Sequence, residues 1–467
     1  MEKRQDIISG ISYVTFVNAF SMVITAFLTL ILPKYISTYN YGIWQLFIFY
    51  QGYLGVFHFG WNDGIYLRYG GADYKKLKKE TFYSQFWIQI FVECILAFGL
   101  LLIAPQTSLE REFVIFQLSL NLVLLNSRYM LIYILQATSR IKEFACVMLL
   151  DRFSYVLLLI MCIIFGRCDF ITLIWSDTIS KAISYILAAF YCRNIIFGGR
   201  KDWIFCSFEI FNNIRSGSKI MLANIASIMI TGICRYGIEQ NWTIDTFGQI
   251  SLTITLSQLF ITFVTNIGLV LYPTLKQMES KQQKKIYLKL KNYISFLIIA
   301  GMIFYYPGKL ILQQWLGKYK EGLEYMGILL PICFFESKMG LLNGTYLKAL
   351  REEKTIMYIN GGVLVLGGIL TWLFSFRLHN LTLSVLSITI LLCARCTLAE
   401  RTIYTKLSLQ QNWLINRENF MMISFVISNY IIGGLIGFGV YCTLGIVYLI
   451  HFLKKMRTGT SIYFKDI

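Results

Sequence analysis

Charged side chains stand inside segments of this sequence that are otherwise almost entirely apolar. These residues are Glu93, Arg128, Asp151, Arg152, Asp177, Lys181, Arg215, Lys219, Arg235, Glu336, Lys338, Arg395, Glu400 and Arg401. An ionised side chain at the centre of a lipid bilayer costs about 2.5 to 3.5 kcal/mol on insertion. We therefore expect these groups to face protein or water, either as structural ion pairs or as a site for a charged ligand.

Helical spacing favours a structural pair for some of these charges and not for others. Asp177 and Lys181 are four residues apart, which places them on one helix face. Arg128 and Arg395 have no acidic residue in such a position, although Arg128 could reach Glu93 on a neighbouring helix. Cations exceed anions in these segments, and a cavity lined by them suits an anion better than a cation.

Polar uncharged residues also recur at helical spacing. One stripe is Asn18, Ser21, Thr25 and Thr29, and a second stripe with the same spacing is Asn224, Ser227, Thr231 and Arg235. A third stripe is Ser251, Thr255, Gln258, Thr262 and Asn266. Such hydroxyls and amides can bind sugar hydroxyls, but they more often hold membrane helices together.

The elements that carry these residues are predicted to be transmembrane helices. The chain has 467 residues, of which 56% are hydrophobic and 15% charged, a composition typical of a polytopic membrane protein. Because a helix needs roughly twenty apolar residues to cross the bilayer core, we predict about fourteen spans. They are 7–32, 41–62, 83–104, 113–136, 144–166, 170–192, 214–238, 247–272, 289–312, 323–347, 356–374, 382–405, 419–435 and 437–453. The last two are short and meet at "IIGGLIGFG", so one kinked or re-entrant element is the alternative.

The distribution of Lys and Arg predicts the orientation. The net charge is +18, and most of the positive residues fall in alternate connections, as in the run Lys75, Lys76, Lys78 and Lys79. Positive charge collects on the cytoplasmic side of short loops. We therefore expect both termini in the cytoplasm, and we attribute the basic character to topology and not to a nucleic-acid partner.

The two halves of the chain resemble each other. The first two polar stripes match in spacing, and the basic run near residue 75 is echoed near residue 281. We predict an all-α protein with two six-helix lobes, 1–192 and 214–406, related by a pseudo-two-fold axis along the membrane normal. A cytoplasmic linker, 193–213, joins them, and 407–467 holds two additional helices and a tail. Parallel repeats of this kind occur in alternating-access transporters.

Several features weigh against an enzyme. The chain has three histidines, His58, His379 and His451, and none has a catalytic partner nearby in sequence. No phosphate-binding G-x-x-x-x-G-K-[ST] loop occurs. The eleven cysteines are scattered, which does not indicate a disulfide framework or a metal site. We predict no cofactor and no metal.

Three stretches carry a resemblance to a known family. They are "FGWNDGIYLRYGG" at the end of the second span, "MLANIASIMITGICRYGIEQNWTIDTFGQISL" from Met221 to Leu252, and "LYPTLKQM" in the second half. They resemble the bacterial polysaccharide flippases, the O-antigen and capsule repeat-unit translocases of the multidrug/oligosaccharidyl-lipid/polysaccharide exporter superfamily.

This resemblance implies a plasma-membrane transporter that moves an undecaprenyl-diphosphate-linked oligosaccharide from the inner to the outer leaflet. The implied partners are that glycan lipid, membrane lipids, and a polysaccharide polymerase with its chain-length machinery. The alternatives are a peptidoglycan-precursor flippase of the lipid II type or a drug exporter of the same superfamily. A membrane polysaccharide polymerase or acyltransferase ranks below these.

Specific residues are expected to act in such a transporter. The substrate-binding candidates are Arg128, Lys181, Arg235, Arg395, Lys219, Arg68, Asn18, Asn224 and Gln258. Arg68 would receive the diphosphate at the cytoplasmic leaflet beside a movable Gly70-Gly71. Glu93 and Glu336 are the candidates for coupling to an ion.

Overall fold

The computed structural model describes residues 20–106, 108–197, 207–265, 280–409 and 417–463. Every predicted span is predominantly helical where the structure describes it, and no strand occurs within those ranges. The principal helices are α1 (Phe20–Tyr35), α2 (Thr38–Gln51), α3 (Trp61–Arg68), α4 (Lys79–Ile103), α5 (Leu109–Ala137), α6 (Ile141–Ile164), α7 (Phe170–Tyr191), α8 (Ser207–Asn241), α9 (Ile244–Thr265), α10 (Ser280–Met302), α11 (Tyr305–Trp315), α12 (Met326–Ala349), α13 (Glu353–Arg377), α14 (Leu381–Lys406), α15 (Arg417–Val426) and α16 (Gly434–Tyr463).

Not all of these helices are simple membrane spans. Within the described part of the chain, eight helices are long and apolar enough to cross a bilayer, and α10 with α11 makes a ninth if that pair, bent by 50°, is one span. The remaining predicted spans are broken, shorter, more polar or run into residues outside the described ranges. The all-helical membrane fold is therefore confirmed, with more irregular helices than apolar length alone indicates.

The second predicted span breaks between α2 and α3. After α2, residues Leu54–His58 form a 3-10 turn, and Phe59 and Gly60 then take left-handed backbone conformations with φ of 52° and 82°. The Gly60 amide donates a hydrogen bond to His58 Nδ1 at 3.0 Å. After this break, α3 places Asn62 against α5 and Arg68 against α8.

The chain packs as two compact units, residues 1–228 and 229–467. The first unit contains α1 to α7 and the first part of α8. Its core includes Phe82 and Phe86 of α4, Met130 and Leu131 of α5, and Val147 of α6, all of them buried. The second unit contains the rest of α8 and the helices that follow. The division falls inside α8, which contributes to both units.

Four buried charges hold the second unit together. Lys338 of α12 contacts Glu400 of α14 at 2.7 Å and Glu418 of α15 at 2.5 Å. Lys291 of α10 pairs with Glu400 and lies 3.8 Å from Glu418, and it donates a hydrogen bond to the Tyr404 hydroxyl at 3.0 Å. Two ammonium groups and two carboxylates balance in charge, so this quartet can stay ionised away from water.

The last two predicted spans form a helical hairpin and not one kinked element. α15 continues as a π-helix over Ile427–Ile432, and Gly433 and Gly434 turn the chain with φ of 67° and 57°. The Phe425 and Tyr441 rings then pack with their centroids 4.9 Å apart. The first arm of the hairpin consists of 10 α-helical and 6 π-helical residues, which give at most about 24 Å of helix. This length is less than the bilayer core of about 30 Å.

Candidate functional site

The predicted binding cations of the first unit are mostly neutralised. Arg128 is 2% exposed, and its Nη1 lies 3.0 Å from Asp151 Oδ2 of α6. It also donates a hydrogen bond to the Ser184 hydroxyl of α7. The partner is therefore Asp151, and not Glu93, because α6 brings its carboxylate against α5. A buried arginine paired in this way contributes to packing between helices.

Lys181 has a comparable environment. It forms the predicted ion pair with Asp177 one helical turn away. Gln51 of α2 joins the pair, because its Nε2 donates to Asp177 Oδ2 at 2.8 Å and its Oε1 accepts from Lys181 Nζ at 3.3 Å. Gln51 and Asn121 connect this pair to α5, so the interaction ties three helices together.

Two further candidates in the second unit are also engaged. Arg395 Nη1 lies 2.9 Å from Glu336 Oε1, and its Nε donates to Asn360 Oδ1 at 3.1 Å. Glu336, a predicted ion-coupling residue, is thus the carboxylate that neutralises this arginine. Arg235 donates to the Ser251 hydroxyl at 3.0 Å and lies over the Phe247 ring, 5.3 Å from its centroid.

The exposed candidates have a different character. Lys219, Asn224 and Gln258 are exposed on α8 and α9, and polar side chains in a membrane helix face water or protein in preference to lipid. Asn18 lies outside the described residues, as does the "LYPTLKQM" stretch. The hydroxyls of Thr25 and Thr29 donate hydrogen bonds to backbone carbonyls one turn earlier in α1. These two hydroxyls therefore have no proton left to donate to a ligand.

Arg152 is a cation that the sequence did not select as a site residue. It is the twelfth of the 24 residues of α6, so it lies near the middle of a span. Its side chain is exposed, and none of the described residues pairs with it. The sequence places Asp151 beside it, but that carboxylate is bound to Arg128. Arg152 is therefore an unneutralised positive charge at mid-membrane depth.

Arg68 is bound to α8 at the end of α3. Its Nη2 lies 2.8 Å from Glu209 Oε2, and its Nη1 donates to Asn213 Oδ1 at 2.6 Å. Tyr69 adds a hydrogen bond to Glu209 at 3.3 Å. Gly71 is ordered by a left-handed turn, with its amide bonded to the Ala137 carbonyl at 2.8 Å. The "LRYGG" segment thus fastens α3 to α8 and to the end of α5.

Three glycines let the backbones of α3 and α8 touch. A Cβ atom on Gly64 would stand 1.9 Å from the Asn213 carbonyl oxygen, and one on Gly217 would stand 2.0 Å from the Gly60 carbonyl oxygen. A Cβ atom on Gly60 would stand 2.4 Å from the Ser218 amide nitrogen. No other residue type fits these positions unless the helices separate. Gly60 and Gly64 of the "FGWNDGIYLRYGG" motif therefore have a direct structural explanation.

A buried polar stripe runs along α4 from this contact. Gln85, Gln89 and Glu93 are spaced by four residues and are at most 2% exposed. Gln85 Oε1 accepts hydrogen bonds from Asn213 Nδ2 at 2.7 Å and from Trp61 Nε1 at 2.9 Å. The four-residue spacing of these polar side chains in an apolar helix is visible in the sequence, but it becomes informative only once their burial is known.

Comparisons with known proteins address the fold. No protein-family model and no curated protein matches the chain. Among solved structures, the chain is similar to the lipid II flippase MurJ in an inward closed conformation, with a TM-score of 0.63, 13% identity, and coverage of 96% of this chain and 99% of that one. An inward-facing multidrug resistance MATE family transporter of the MOP superfamily gives a TM-score of 0.61, 12% identity, and coverage of 84% and 99%.

The chain has the fold of the MOP superfamily transporters. A MATE structure in complex with MaL6 is also similar, with a TM-score of 0.55, 10% identity, and coverage of 85% of this chain and 96% of that one. At such low sequence identity, these similarities show a shared architecture and do not identify the substrate. The superfamily expected from the sequence agrees with this fold, and the substrate has to be argued from the residues of this chain.

Proposed function

We propose that this protein is a transporter that flips an undecaprenyl-diphosphate-linked oligosaccharide from the cytoplasmic to the outer leaflet of the bacterial plasma membrane by alternating access. It would have both termini in the cytoplasm. A polysaccharide polymerase with its chain-length machinery would act on the flipped product. The MOP superfamily fold supports transport as the general activity.

The exposed, unpaired position of Arg152 is the observation that favours an anionic substrate. A mid-membrane arginine without a partner among the described residues is stable only beside water or an anion. Arg215 and Lys219, in the first half of α8, are also exposed and have no acidic partner within the described ranges. A diphosphate is the part of a lipid-linked sugar that arginine binds best, since the guanidinium can donate two hydrogen bonds to it.

The same positive charges help to distinguish the two alternatives within the superfamily, a lipid II type flippase and a drug exporter. A lipid II type flippase also handles a polyprenyl diphosphate, so the cationic residues fit it equally well. A drug exporter that takes cations fits them poorly. The resemblance of "FGWNDGIYLRYGG" to polysaccharide flippases favours a polysaccharide repeat unit over a peptidoglycan precursor.

The contact between α3 and α8 supports a gate at the cytoplasmic end. Arg68 and Glu209 are 28% and 34% exposed, so a phosphate in the aqueous phase could reach this ion pair. We propose that the contact opens to admit substrate and that Arg68 exchanges Glu209 for the diphosphate. Glycine contacts without interlocking side chains suit such a joint, because they can part without rotamer changes.

Replacement of Arg152 by Gln tests the proposal. We expect R152Q to abolish flipping of a polyprenyl-diphosphate disaccharide with a fluorescent NBD label on its sugar. The assay uses proteoliposomes and measures how much of the label the impermeant reductant dithionite reaches. The variant should fold normally, because the arginine has no described partner to lose. K142Q is the matched control, since Lys142 is an exposed cation at the start of the same helix.

The flipping rates of the two variants and the preferred substrate distinguish the proposed function from its alternatives. K142Q should keep wild-type rates, and R152Q should lose them while its melting temperature is unchanged. Wild-type flipping by R152Q would overturn the anion-binding role. Flipping of an undecaprenyl-diphosphate pentapeptide disaccharide in preference to polysaccharide repeat units would instead favour the lipid II alternative.

A further inference from the structure

A cavity opens at the end of the first unit where α5 and α7 end and α4 begins. Its volume is about 510 Å³, which is within the range of about 300 to 1,000 Å³ that small-ligand sites have. The 3-10 turn Tyr74–Lys76 before α4 and the short helix Arg193–Ile196 after α7 form part of its walls. The lining residues are Asp73, Tyr74, Lys75, Thr138, Arg140, Phe190, Tyr191, Arg193 and Asn194.

Positive charge predominates in this cavity. Three of the nine lining residues are basic, and Asp73 is the one acidic member of the lining. The Asp73 carboxylate accepts a hydrogen bond from the Lys75 backbone amide at 2.9 Å, as part of the turn. Lys75 and Arg193 are exposed, and neither forms an ion pair with another residue of the described ranges. The cavity therefore offers two cations to an anionic group.

The third cation, Arg140, holds the walls of the cavity together. Its Nε lies 3.0 Å from Glu143 Oε1, and its Nη1 donates a hydrogen bond to the Tyr191 carbonyl at 3.0 Å. The guanidinium also lies over the Tyr74 ring, 4.4 Å from the ring centroid. Arg140 thus fixes the turn before α4 to the end of α7, and these two elements carry the two unpaired cations.

An apolar stripe on α7 leads into the cavity. Ile179, Ile183, Ile186 and Phe190 are each at least 37% exposed, and their spacing places them on one face of the helix. Such an exposed apolar face suits the acyl chains of a membrane lipid. Phe190 belongs to the stripe and also lines the cavity, and the Arg193 guanidinium lies 5.4 Å from its ring centroid. A ligand that follows both surfaces has an apolar tail and an anionic head.

We propose that this cavity binds the phosphate of an anionic phospholipid, with Lys75 and Arg193 as its ligands and an acyl chain along the α7 stripe. Phosphate oxygens accept charge-assisted hydrogen bonds from both side chains. Basic pockets beside transmembrane helices recognise lipid headgroups through the same interaction. A soluble phosphate would contact the cations but leave the apolar stripe unused, which favours a lipid.

A bound lipid acts on the segment that follows α3. Lys75 is four residues after Gly71, whose amide donates a hydrogen bond to the Ala137 carbonyl at 2.8 Å. A phosphate held between Lys75 and Arg193 gives this segment a second attachment, at the end of α7. Anionic lipid should therefore stabilise the "LRYGG" segment, which contacts α8 through Arg68.

Native mass spectrometry of the purified full-length protein, titrated with lipid, tests the site. We expect phosphatidylglycerol to bind in preference to phosphatidylcholine of the same chain length. K75Q and R193Q should each weaken phosphatidylglycerol binding by about fivefold, and the double variant by roughly 25-fold. K76Q is the matched control, because Lys76 is an exposed cation of the same turn that does not line the cavity. It should keep wild-type affinity.

Measurements on the wild-type protein separate a lipid from a soluble phosphate and require no variant to fold. The melting temperature should rise saturably with phosphatidylglycerol in detergent. Inorganic phosphate and glycerophosphoglycerol, which have no acyl chains, should leave it unchanged. Hydrogen exchange in the peptide that contains Gly71 should slow when phosphatidylglycerol is added.

Three results would overturn the lipid site. The first is a K75Q/R193Q variant that binds phosphatidylglycerol as tightly as the wild type. The second is an equal loss of binding in K76Q and K75Q, which would indicate attraction to the basic surface as a whole. The third is stabilisation by inorganic phosphate equal to that by phosphatidylglycerol, which would assign the cavity to a soluble phosphate. None of these measurements uses the transported substrate, so their outcome is independent of the proposed function.

Discussion

Individual charged residues in this chain differ in whether a partner of opposite sign lies within reach. Arg128, Lys181 and Arg395 are paired with carboxylates from their own or neighbouring helices. Their substitution is expected to affect folding first, because it leaves a buried carboxylate without its counter-charge. Arg152 has no such partner within the described part of the chain, so it is the better candidate for contact with a ligand.

The buried quartet in the second unit allows a prediction about charge balance. E418Q leaves Lys291 and Lys338 sharing a single carboxylate, and we expect it to lower stability by about 3 to 5 kcal/mol. The double variant K291M/E418Q restores neutrality and should recover most of that loss. Melting temperatures of the three proteins in detergent measure the effect. A double variant that is less stable than E418Q would show that the lysine does not act through its charge.

The helices were predictable from the sequence, whereas several of their breaks were not. Within the described residues, apolar length located the long helices, since the bilayer imposes a minimum helix length. The interruption at Phe59 and Gly60 involves no proline, and it lies beside the contact that α3 makes with α8. Such a contact depends on residues far apart in the chain, so local sequence does not reveal it.

The candidate site was predictable to a similar extent. The charged residues of the spans were evident from the sequence, and the pair of Asp177 with Lys181 followed from helical spacing. The partner of Arg128 did not follow, because the sequence does not state which helices are neighbours. The contacts of the buried stripe on α4 did not follow either, because only helix packing brings Gln89 of α4 and Asn62 of α3 to the same carbonyl, that of Asn126 in α5.

Replacement of Gly64 by Ala tests the contact between α3 and α8. Because the added methyl group would overlap the Asn213 carbonyl, we expect G64A to lower stability by about 1 to 3 kcal/mol. G55A is the control, since nothing lies within 4 Å of a Cβ atom at Gly55. Melting temperatures report the difference. If both variants unfold at the same temperature, the close approach of these two backbones does not contribute to stability.

A membrane potential acts across the whole molecule, and it bears on how the proposed transport would be driven. A substrate with two negative charges gains about 4 to 5 kcal/mol when it moves outward across 100 mV, inside negative, at about 2.3 kcal/mol per charge. We therefore expect an inside-negative potassium diffusion potential to accelerate flipping in liposomes without proton or sodium gradients. The same NBD-labelled disaccharide and dithionite provide the measurement.

The control for this experiment is the same preparation with no imposed potential. Reversing the sign of the potential should slow outward movement, because the field then opposes the two negative charges. Flipping that ignores the potential but follows an imposed sodium gradient would contradict the electrophoretic account. In that case Glu93, the buried carboxylate predicted to couple an ion, would be the first residue to test by substitution.

The quartet of Lys291, Lys338, Glu400 and Glu418 has a consequence for biosynthesis. A ribosome adds both lysines before either glutamate, and Glu418 follows only when α15 begins. Until then the growing chain contains more ammonium groups than carboxylates in this region, and their insertion into lipid is opposed by the cost of an unpaired charge. The quartet can therefore be neutralised in full only after α15 has been synthesised and has packed against α10 and α12.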